Sequence, residues 1–213
     1  MLNIDRVRRD VIVIGASAGG VEALMRLFSE LPVDLAAAIG VVLHRSPVHE
    51  TRLAMVLGRR AALPVYEAGD GDPLKPAAIW LAPRDQHLLV EDGRLRLSRG
   101  PREHHTRPAI DPLFVSAAQS YGSRVVGVVL SGTGDDGVRG LIAIKAHGGL
   151  SLVQDPAEAL HAGMPRNALA GDQVNAILSL DDLASTLGAL ALGEAVDVDA
   201  PSLATERRDD GDD

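Results

Sequence analysis

Cysteine is absent from the 213-residue chain, and aromatic residues are few: one Trp, two Tyr and two Phe. Without cysteine there is no disulfide, no zinc–thiolate site, no iron–sulfur cluster and no cysteine nucleophile. So few rings cannot build the stacking surface of a single-strand nucleic-acid binder. The net charge of −8 has the wrong sign for unspecific binding to nucleic acid. We therefore expect no nucleic-acid partner.

Long apolar runs are missing as well. The longest, Leu35–Leu43, is far shorter than the roughly 20 residues that a membrane-spanning helix needs. The first ten residues are charged and lack the apolar core of a signal peptide. These absences predict a cytoplasmic protein without membrane insertion.

Negative charge is concentrated at the end of the chain. Residues 194–213 hold eight acidic residues and two arginines, which leaves residues 1–193 nearly neutral. A segment so charged and so poor in apolar residues has little to bury. We expect one domain over residues 1–193 and an acidic, disordered tail over residues 194–213.

Short apolar runs alternate with helical patterns between residues 11 and 192. Runs rich in Val, Ile and Leu predict strands, and apolar residues at helical spacing predict helices between them. Such strands are typical of a sheet covered on both faces. The predicted fold class is α/β, a doubly wound, mostly parallel sheet flanked by helices. An Asp92-Gly93 turn between alternating stretches predicts an inserted β-hairpin over 88–97. The predicted helices are 19–30, 47–57, 111–121 (with Asp111 as its N-cap), 138–147, 164–170 and 183–192.

A hydroxyl, an imidazole and two carboxylates follow three of the predicted strands. Ser17 comes after the first, His44 after the second, and Asp135 and Asp136 after the run 125–130. Parallel strands end at one edge of a sheet, so these side chains should be neighbours. A serine becomes a nucleophile when an imidazole takes its proton and a carboxylate orients that imidazole. Capping serines are commoner than nucleophiles, so this pattern alone also allows Ser17 to be a helix cap.

A second interpretation starts from the glycines after the run 125–130. Gly132, Gly134 and Gly137 form a G-x-G-x-x-G pattern between a strand and a helix, and Asp155 follows at nearly the spacing of a ribose-binding acid. This spacing is typical of a dinucleotide-binding loop. Asp135 and Asp136 argue against it, because they would face the pyrophosphate with like charge.

Other polar residues carry weaker signals. His44 and His49 are five residues apart and His104 and His105 are adjacent, and neither spacing is typical of a metal site. We therefore expect no metal and no cofactor. Arginines in the segment 84–107, among them Arg107, could reach an acidic substrate, but surface arginines are usually only solvated.

Five motifs in order resemble the catalytic domain of CheB-type protein-glutamate methylesterases, over residues 11–192. Together they are far more specific than any one of them. The motifs are Ile14-Gly15-Ala16-Ser17-Ala18-Gly19-Gly20, then His44 with Pro47, Arg107-Pro108-Ala109-Ile110-Asp111, Leu130-Ser131-Gly132-Thr133-Gly134-Asp135-Asp136-Gly137 and Gly163-Met164-Pro165-Arg166.

The resemblance implies a serine-type esterase with Ser17 as nucleophile, His44 as base and Asp136 as orienting carboxylate. The implied reaction is hydrolysis of glutamyl γ-methyl esters on a chemoreceptor, with possible deamidation of glutamine. The resemblance also places Ala18, Thr133, Arg107 and Met164 at the oxyanion and substrate-binding part of the site.

The chain departs from the family pattern at several points. The family commonly has Thr where Ala18 stands and Met where Thr133 stands, and Arg45-Ser46 replaces Met-Pro after His44. Only ten residues precede the first predicted strand, so we expect no receiver domain and allow for a separate regulator in trans. A non-catalytic scaffold that binds receptors is the remaining alternative.

Overall fold

The structure, a computed structural model, describes residues 2–4, 7–45, 52–172 and 174–198. Strands and helices alternate through most of this range. The strands are β1 (Leu2–Ile4), β2 (Val11–Ala16), β3 (Ala38–Leu43), β4 (Val65–Glu67), β5 (Ala78–Leu81), β6 (His87–Glu91), β7 (Arg94–Ser98), β8 (Val125–Val129), β9 (Leu150–Gln154), β10 (Ala176–Leu178) and β11 (Val196–Val198). The helices are α1 (Gly20–Glu30), α2 (Leu53–Gly58), α3 (Ile110–Tyr121), α4 (Val138–Ala146), α5 (Gly163–Gly171) and α6 (Leu180–Leu192).

Seven parallel strands form the central sheet, in the order β10-β9-β8-β2-β3-β5-β4. Within it, β2 lies between β3 and β8, with Ile14 opposite Val41 on one side and Val128 on the other. The chain builds one half of the sheet from β3 to β5 and then returns across β2 to build the other half from β8 to β10. This reversal beside β2 is a switch point, where such sheets bind ligands. The predicted doubly wound α/β class is confirmed.

Two hydrophobic layers cover the faces of the sheet. Side chains alternate along β2, so that Ile12 and Ile14 join the core on the side of α1 and α6, while Val11 and Val13 join the core on the other side. The second core contains residues of α3, α4 and α5, including the fully buried Phe114. The continuous apolar strands of the sequence therefore reflect burial on both faces.

The predicted β-hairpin is confirmed as the pair β6–β7, separate from the main sheet. Asp92 and Gly93 both have positive φ, 48° and 77°, as a two-residue hairpin turn requires. The hairpin packs on α3, where the hydroxyl of Ser116 accepts a hydrogen bond from the Val90 N–H at 3.0 Å. The hairpin thus covers the outer side of the helix that leads into the site.

Helices α1, α3, α5 and α6 each begin one to three residues from the predicted start. Helix α6 begins at Leu180, because the Ser179 hydroxyl caps it by accepting the Asp182 N–H at 3.1 Å. Helix α3 begins at Ile110, with Ala109 as its N-cap, so the prediction of Asp111 as its cap is wrong. The carboxylate of Asp111 instead binds backbone N–H groups at the start of α4.

The first and last described segments pair in a small antiparallel sheet. Strand β11 pairs with β1, with Val196 opposite Ile4. Regular structure therefore continues past the expected boundary at residue 193, and the remainder of the expected tail, 199–213, lies outside the described residues. The first part of the helix expected over 47–57 also lies outside them, and α2 occupies the rest.

Candidate active site

Ser17 lies in the turn between β2 and α1. Helix α1 begins at Gly20, its N-cap is Gly19 at φ 72°, and no side chain caps it, so Ser17 does not serve as the helix cap. The turn is tight: a Cβ at Gly20 would lie 2.7 Å from both Ala16 Cβ and Leu43 Cδ1. Small residues here keep the turn against the sheet and leave Ser17 facing the cavity beyond the strand ends.

His44 follows β3, directly beside that turn. Its backbone N–H donates to the carbonyl of Ala16 at 3.0 Å, which extends the pairing of β2 and β3 to the site. The ring Nε2 lies 2.7 Å from Oδ2 of Asp136, whose side chain is 2% exposed. With Nε2 bound to the carboxylate, Nδ1 is the ring nitrogen that remains to exchange a proton with a substrate or a nucleophile.

Asp136, in the loop before α4, caps the start of α3, and Asp111 of α3 caps the start of α4. Oδ2 of Asp136 accepts the Ile110 N–H at 2.7 Å and Oδ1 accepts the Asp111 N–H at 3.0 Å, both at the start of α3. In return, Oδ1 of Asp111 accepts the N–H groups of Gly137 at 3.1 Å and Gly140 at 2.7 Å, at the start of α4. These bonds satisfy backbone donors that a helix start leaves open. The exchange also fixes the carboxylate that faces His44.

The two carboxyl groups differ in their acidity. Burial alone raises the pKa of Asp136, but hydrogen bonds from His44, Ile110 and Asp111 outweigh it and hold the pKa below its ordinary value. Burial raises the pKa of Asp111, assisted by the charge of Asp136 and opposed by the Gly140 N–H. Asp136, the carboxylate beside His44, is therefore the more acidic of the two.

A cavity of about 510 Å³ opens above these residues, at the switch point of the sheet. It brings together Ser17, His44 and Asp136, the predicted nucleophile, base and orienting carboxylate. Thr133, predicted near the oxyanion, also lines it. The complete lining is Ser17, His44, His104, His105, Thr106, Thr133, Gly134, Asp135 and Asp136.

Three other predicted residues do not line this cavity. The guanidinium of Arg107 binds Asp85 Oδ1 at 2.9 Å and the Gly100 carbonyl at 2.7 Å, so it anchors its own loop. Met164 is 1% exposed. The carbonyl of Ala18 accepts the Ser131 hydroxyl at 2.8 Å.

Sequence reasoning missed the contribution of the turn Glu103–Thr106. His104 Nε2 lies 2.9 Å from Asp111 Oδ2, and its Nδ1 lies 3.2 Å from Asp135 Oδ1. The Thr106 hydroxyl lies 3.5 Å from His44 Nε2. The spacing of the adjacent histidines gives no metal signal, and Asp135 lies 31 residues along the chain from His104, so no local pattern joins the two.

One cluster could be considered for a metal. Donor atoms of His104, Asp111 and Asp136 all lie within 4.8 Å of one another. Each is already engaged, since His104 Nε2 meets Asp111 Oδ2, Arg139 Nε lies 3.4 Å from that same oxygen, and Asp136 Oδ1 accepts a backbone N–H. We assign the cluster to hydrogen bonding and ion pairing.

A parallel α/β sheet here places a serine, a histidine and a buried aspartate around one cavity at its switch point, the set of side chains that serine hydrolases use. The family model described as CheB methylesterase matches residues 12–187. The chain therefore belongs to the CheB methylesterase family, as the motifs predicted.

Curated relatives agree with this assignment. The chain is 42% identical over 180 residues to protein-glutamate methylesterase/protein-glutamine glutaminase 2 of Anaeromyxobacter dehalogenans, covering 84% of this chain and 53% of the relative. It is 44% identical over 164 residues to a protein-glutamate methylesterase/protein-glutamine glutaminase of Myxococcus xanthus, covering 74% of this chain and 47% of the relative. The chain thus spans about half the length of these relatives.

The structural comparison covers the catalytic part alone. The crystal structure of the Thermotoga maritima CheB methylesterase catalytic domain matches with a TM-score of 0.81 and 32% identity, over 86% of this chain and all of that one. None of these comparisons favours the dinucleotide interpretation. In the structure Asp155 accepts the N–H of Ala157 at 2.8 Å within its own turn. Among the described helices, none is long and apolar enough to cross a membrane.

Proposed function

We propose that this protein hydrolyses γ-methyl esters of glutamyl side chains on a chemoreceptor, and that Ser17, His44 and Asp136 carry the reaction. The observation that supports this most directly is the 2.7 Å contact between His44 Nε2 and the buried Asp136, in a cavity that Ser17 also lines. The names of the relatives support the substrate class.

The reaction proceeds in two displacements. Ser17 Oγ attacks the ester carbonyl carbon while Nδ1 of His44 takes the hydroxyl proton; the carbonyl becomes an oxyanion. The tetrahedral intermediate collapses, the C–O bond to methoxide breaks, and His44 returns the proton so that methanol leaves. Water then attacks the glutamyl–serine ester by the same route and releases glutamate. A glutaminyl side chain would lose ammonia in place of methanol.

The small residues around the nucleophile support the electrostatic part of the mechanism. Backbone N–H groups in the turn at Ala18 and in the loop at Thr133 are the candidates to stabilise the oxyanion, because both segments adjoin the cavity end of Ser17. Ala18 and Thr133 differ from the side chains that the family commonly has at these positions, but such a change of side chain leaves the backbone N–H groups in place. Asp136 would stabilise the imidazolium of His44 during each transfer.

Replacement of the nucleophile tests the proposal. Ser17→Ala should reduce methanol release from a methylated receptor by at least about 10⁴-fold, because triad members act as a unit. Ser29→Ala, which removes an exposed hydroxyl from the far part of α1, is the matched control and should keep full activity. Ser17→Ala turnover within threefold of wild type would refute the assignment.

Chemical labelling provides a check that does not depend on turnover. A serine-reactive phosphonate should label Ser17, and excess methylated receptor peptide should slow that labelling. A scaffold without catalysis would bind the receptor in a pull-down but release no methanol. Regulation by a separate partner stays a prediction, and adding candidate regulators to this assay is its test.

A further inference from the structure

The turn Glu103–Thr106 closes one side of the cavity in a strained conformation. Glu103 and Thr106 exchange two backbone hydrogen bonds, of 3.1 and 2.8 Å, and the two residues between them, His104 and His105, have φ of 48° and 62°. Glycine or asparagine usually fills such positions, because a side chain makes the left-handed region unfavourable. Strained backbone of this kind persists where surrounding contacts hold it, often at functional sites.

The contacts of His104 hold this turn. Its ring lies between Asp111 of α3, at 2.9 Å, and Asp135 of the loop before α4, at 3.2 Å. Asp136 Oδ1 lies 3.9 Å from the same Nε2. One imidazole thus faces three carboxyl groups, one of which is the partner of His44.

Negative charges outnumber positive charges around His104. Asp111, Asp135 and Asp136 face it with negative charge, and Glu103 lies at the start of its own turn. The nearby cation is Arg139 of α4, which pairs with Glu103 and lies 3.4 Å from Asp111 Oδ2. Partial burial lowers the pKa of His104, but the hydrogen bond to Asp111 and the charges of the three aspartates outweigh it and raise the pKa.

We propose that His104 is a positioning residue of the esterase site, which acts as an imidazolium bridge between Asp111 and Asp135. The bridge neutralises the buried Asp111 beside Asp136 and fastens the turn over the cavity. This inference rests on the proposed function for its kinetic readout only. His104 acts through Asp111, whose backbone N–H binds Asp136, and Asp136 in turn holds His44.

A specific consequence follows for the pH dependence of the reaction. The bridge exists only while His104 carries its proton, so removing it should cost most activity at low pH, where the wild-type imidazole is charged. The ratio of kcat/KM between His104→Asn and wild type should therefore be lowest at low pH and rise as the pH increases through the raised pKa of His104. In a plot of kcat/KM against pH, this moves the acid limb of the variant upward.

The test compares His104→Asn with His105→Asn. Asparagine suits the left-handed backbone at both positions, so both variants should fold. We expect the acid limb to move upward for His104→Asn and to stay in place for His105→Asn, whatever that change does to the maximal rate. Equal acid limbs in His104→Asn and wild type, equal shifts in both variants, or a loss of the same size at every pH would overturn the proposal.

Histidine NMR of the full chain separates this proposal from the esterase assignment. The imidazole of His104 should titrate above the ordinary histidine range of about 6.5. Asp111→Asn should lower that midpoint, because the amide can still accept the Gly137 and Gly140 N–H groups through its oxygen while the anionic partner is lost. A His104 midpoint at or below 6.5, or one unmoved by Asp111→Asn, would refute the bridge even in an active enzyme. An inactive enzyme with the expected titrations would refute only the esterase assignment.

Discussion

Asp136→Asn is the sharpest test of the candidate triad, because the structure defines every bond of the carboxylate. Its side chain is 2% exposed. Oδ2 accepts from His44 Nε2 and the Ile110 N–H, and Oδ1 accepts from the Asp111 N–H. Asparagine has the same shape but carries no charge, and it replaces one acceptor with a donor.

Either orientation of the new amide is unfavourable. With its NH₂ group in place of Oδ1, it faces the Asp111 N–H and leaves that backbone donor without a partner. With its NH₂ group in place of Oδ2, it faces the Ile110 N–H and donates to His44 Nε2, which places the ring proton on Nδ1 and blocks that nitrogen as a base. An unsatisfied buried donor costs about 1–3 kcal/mol, so the free energy of unfolding should fall by that amount.

The effect on catalysis should be larger than the effect on stability. Loss of the charge that stabilises the imidazolium, with a wrong tautomer in part of the molecules, should lower kcat/KM by roughly 10³–10⁴. At about 1.36 kcal/mol per factor of ten, this corresponds to roughly 4–5 kcal/mol of transition-state stabilisation.

The assay is methanol release from a receptor peptide with a glutamyl γ-methyl ester, together with urea unfolding of each variant. Asp135→Asn is the comparison, since the Asp135 side chain is 70% exposed and its loss should cost less than tenfold. A folded Asp136→Asn protein with activity within tenfold of wild type would refute the reasoning. Equal losses in both variants would show that the orienting carboxylate has been wrongly assigned.

Two further predictions concern stability. Gly140→Ala should lower the free energy of unfolding in urea titrations, because the new Cβ would overlap the Cβ of Phe114. This overlap puts the overpacking cost near the upper end of about 1–3 kcal/mol, and alanine regains roughly 1 kcal/mol of helix propensity, so the net loss is about 2 kcal/mol. An unchanged or higher stability would contradict this. Because the pKa of Asp136 is lowered and that of His104 raised, Asp136 should stabilise the fold above about pH 4 and lose that contribution as the pH falls through its folded pKa. The contribution of His104 to stability should be complete below about pH 6.5 and be lost as the pH rises through its folded pKa. His104→Asn should therefore destabilise the protein more at pH 6 than at pH 9 in urea titrations. The opposite order would disprove this.

The amino-acid sequence alone was sufficient for the fold class and for the residues at the strand ends. Strands buried on both faces must be apolar throughout, so β2, β3 and β8 are visible as continuous runs in the sequence. Parallel strands end at a common edge, so Ser17, His44 and the pair Asp135 and Asp136, which follow those runs, could be predicted as neighbours. The family resemblance selected Asp136 from that pair. The Asp92-Gly93 turn was equally visible, because its positive φ angles require particular residues.

Only the tertiary structure decided what the polar groups of the site bind. Asp111 followed the local pattern of a helix cap, yet its carboxylate caps α4, and Asp136 caps α3 in return. The motif residue Arg107 binds Asp85 and lies away from the cavity, while His104 enters it. Local patterns report backbone preference and burial, but a hydrogen bond between residues some 25 positions apart depends on how two helices pack. That packing is set by the whole sheet, and it determines which carboxylate faces the imidazole.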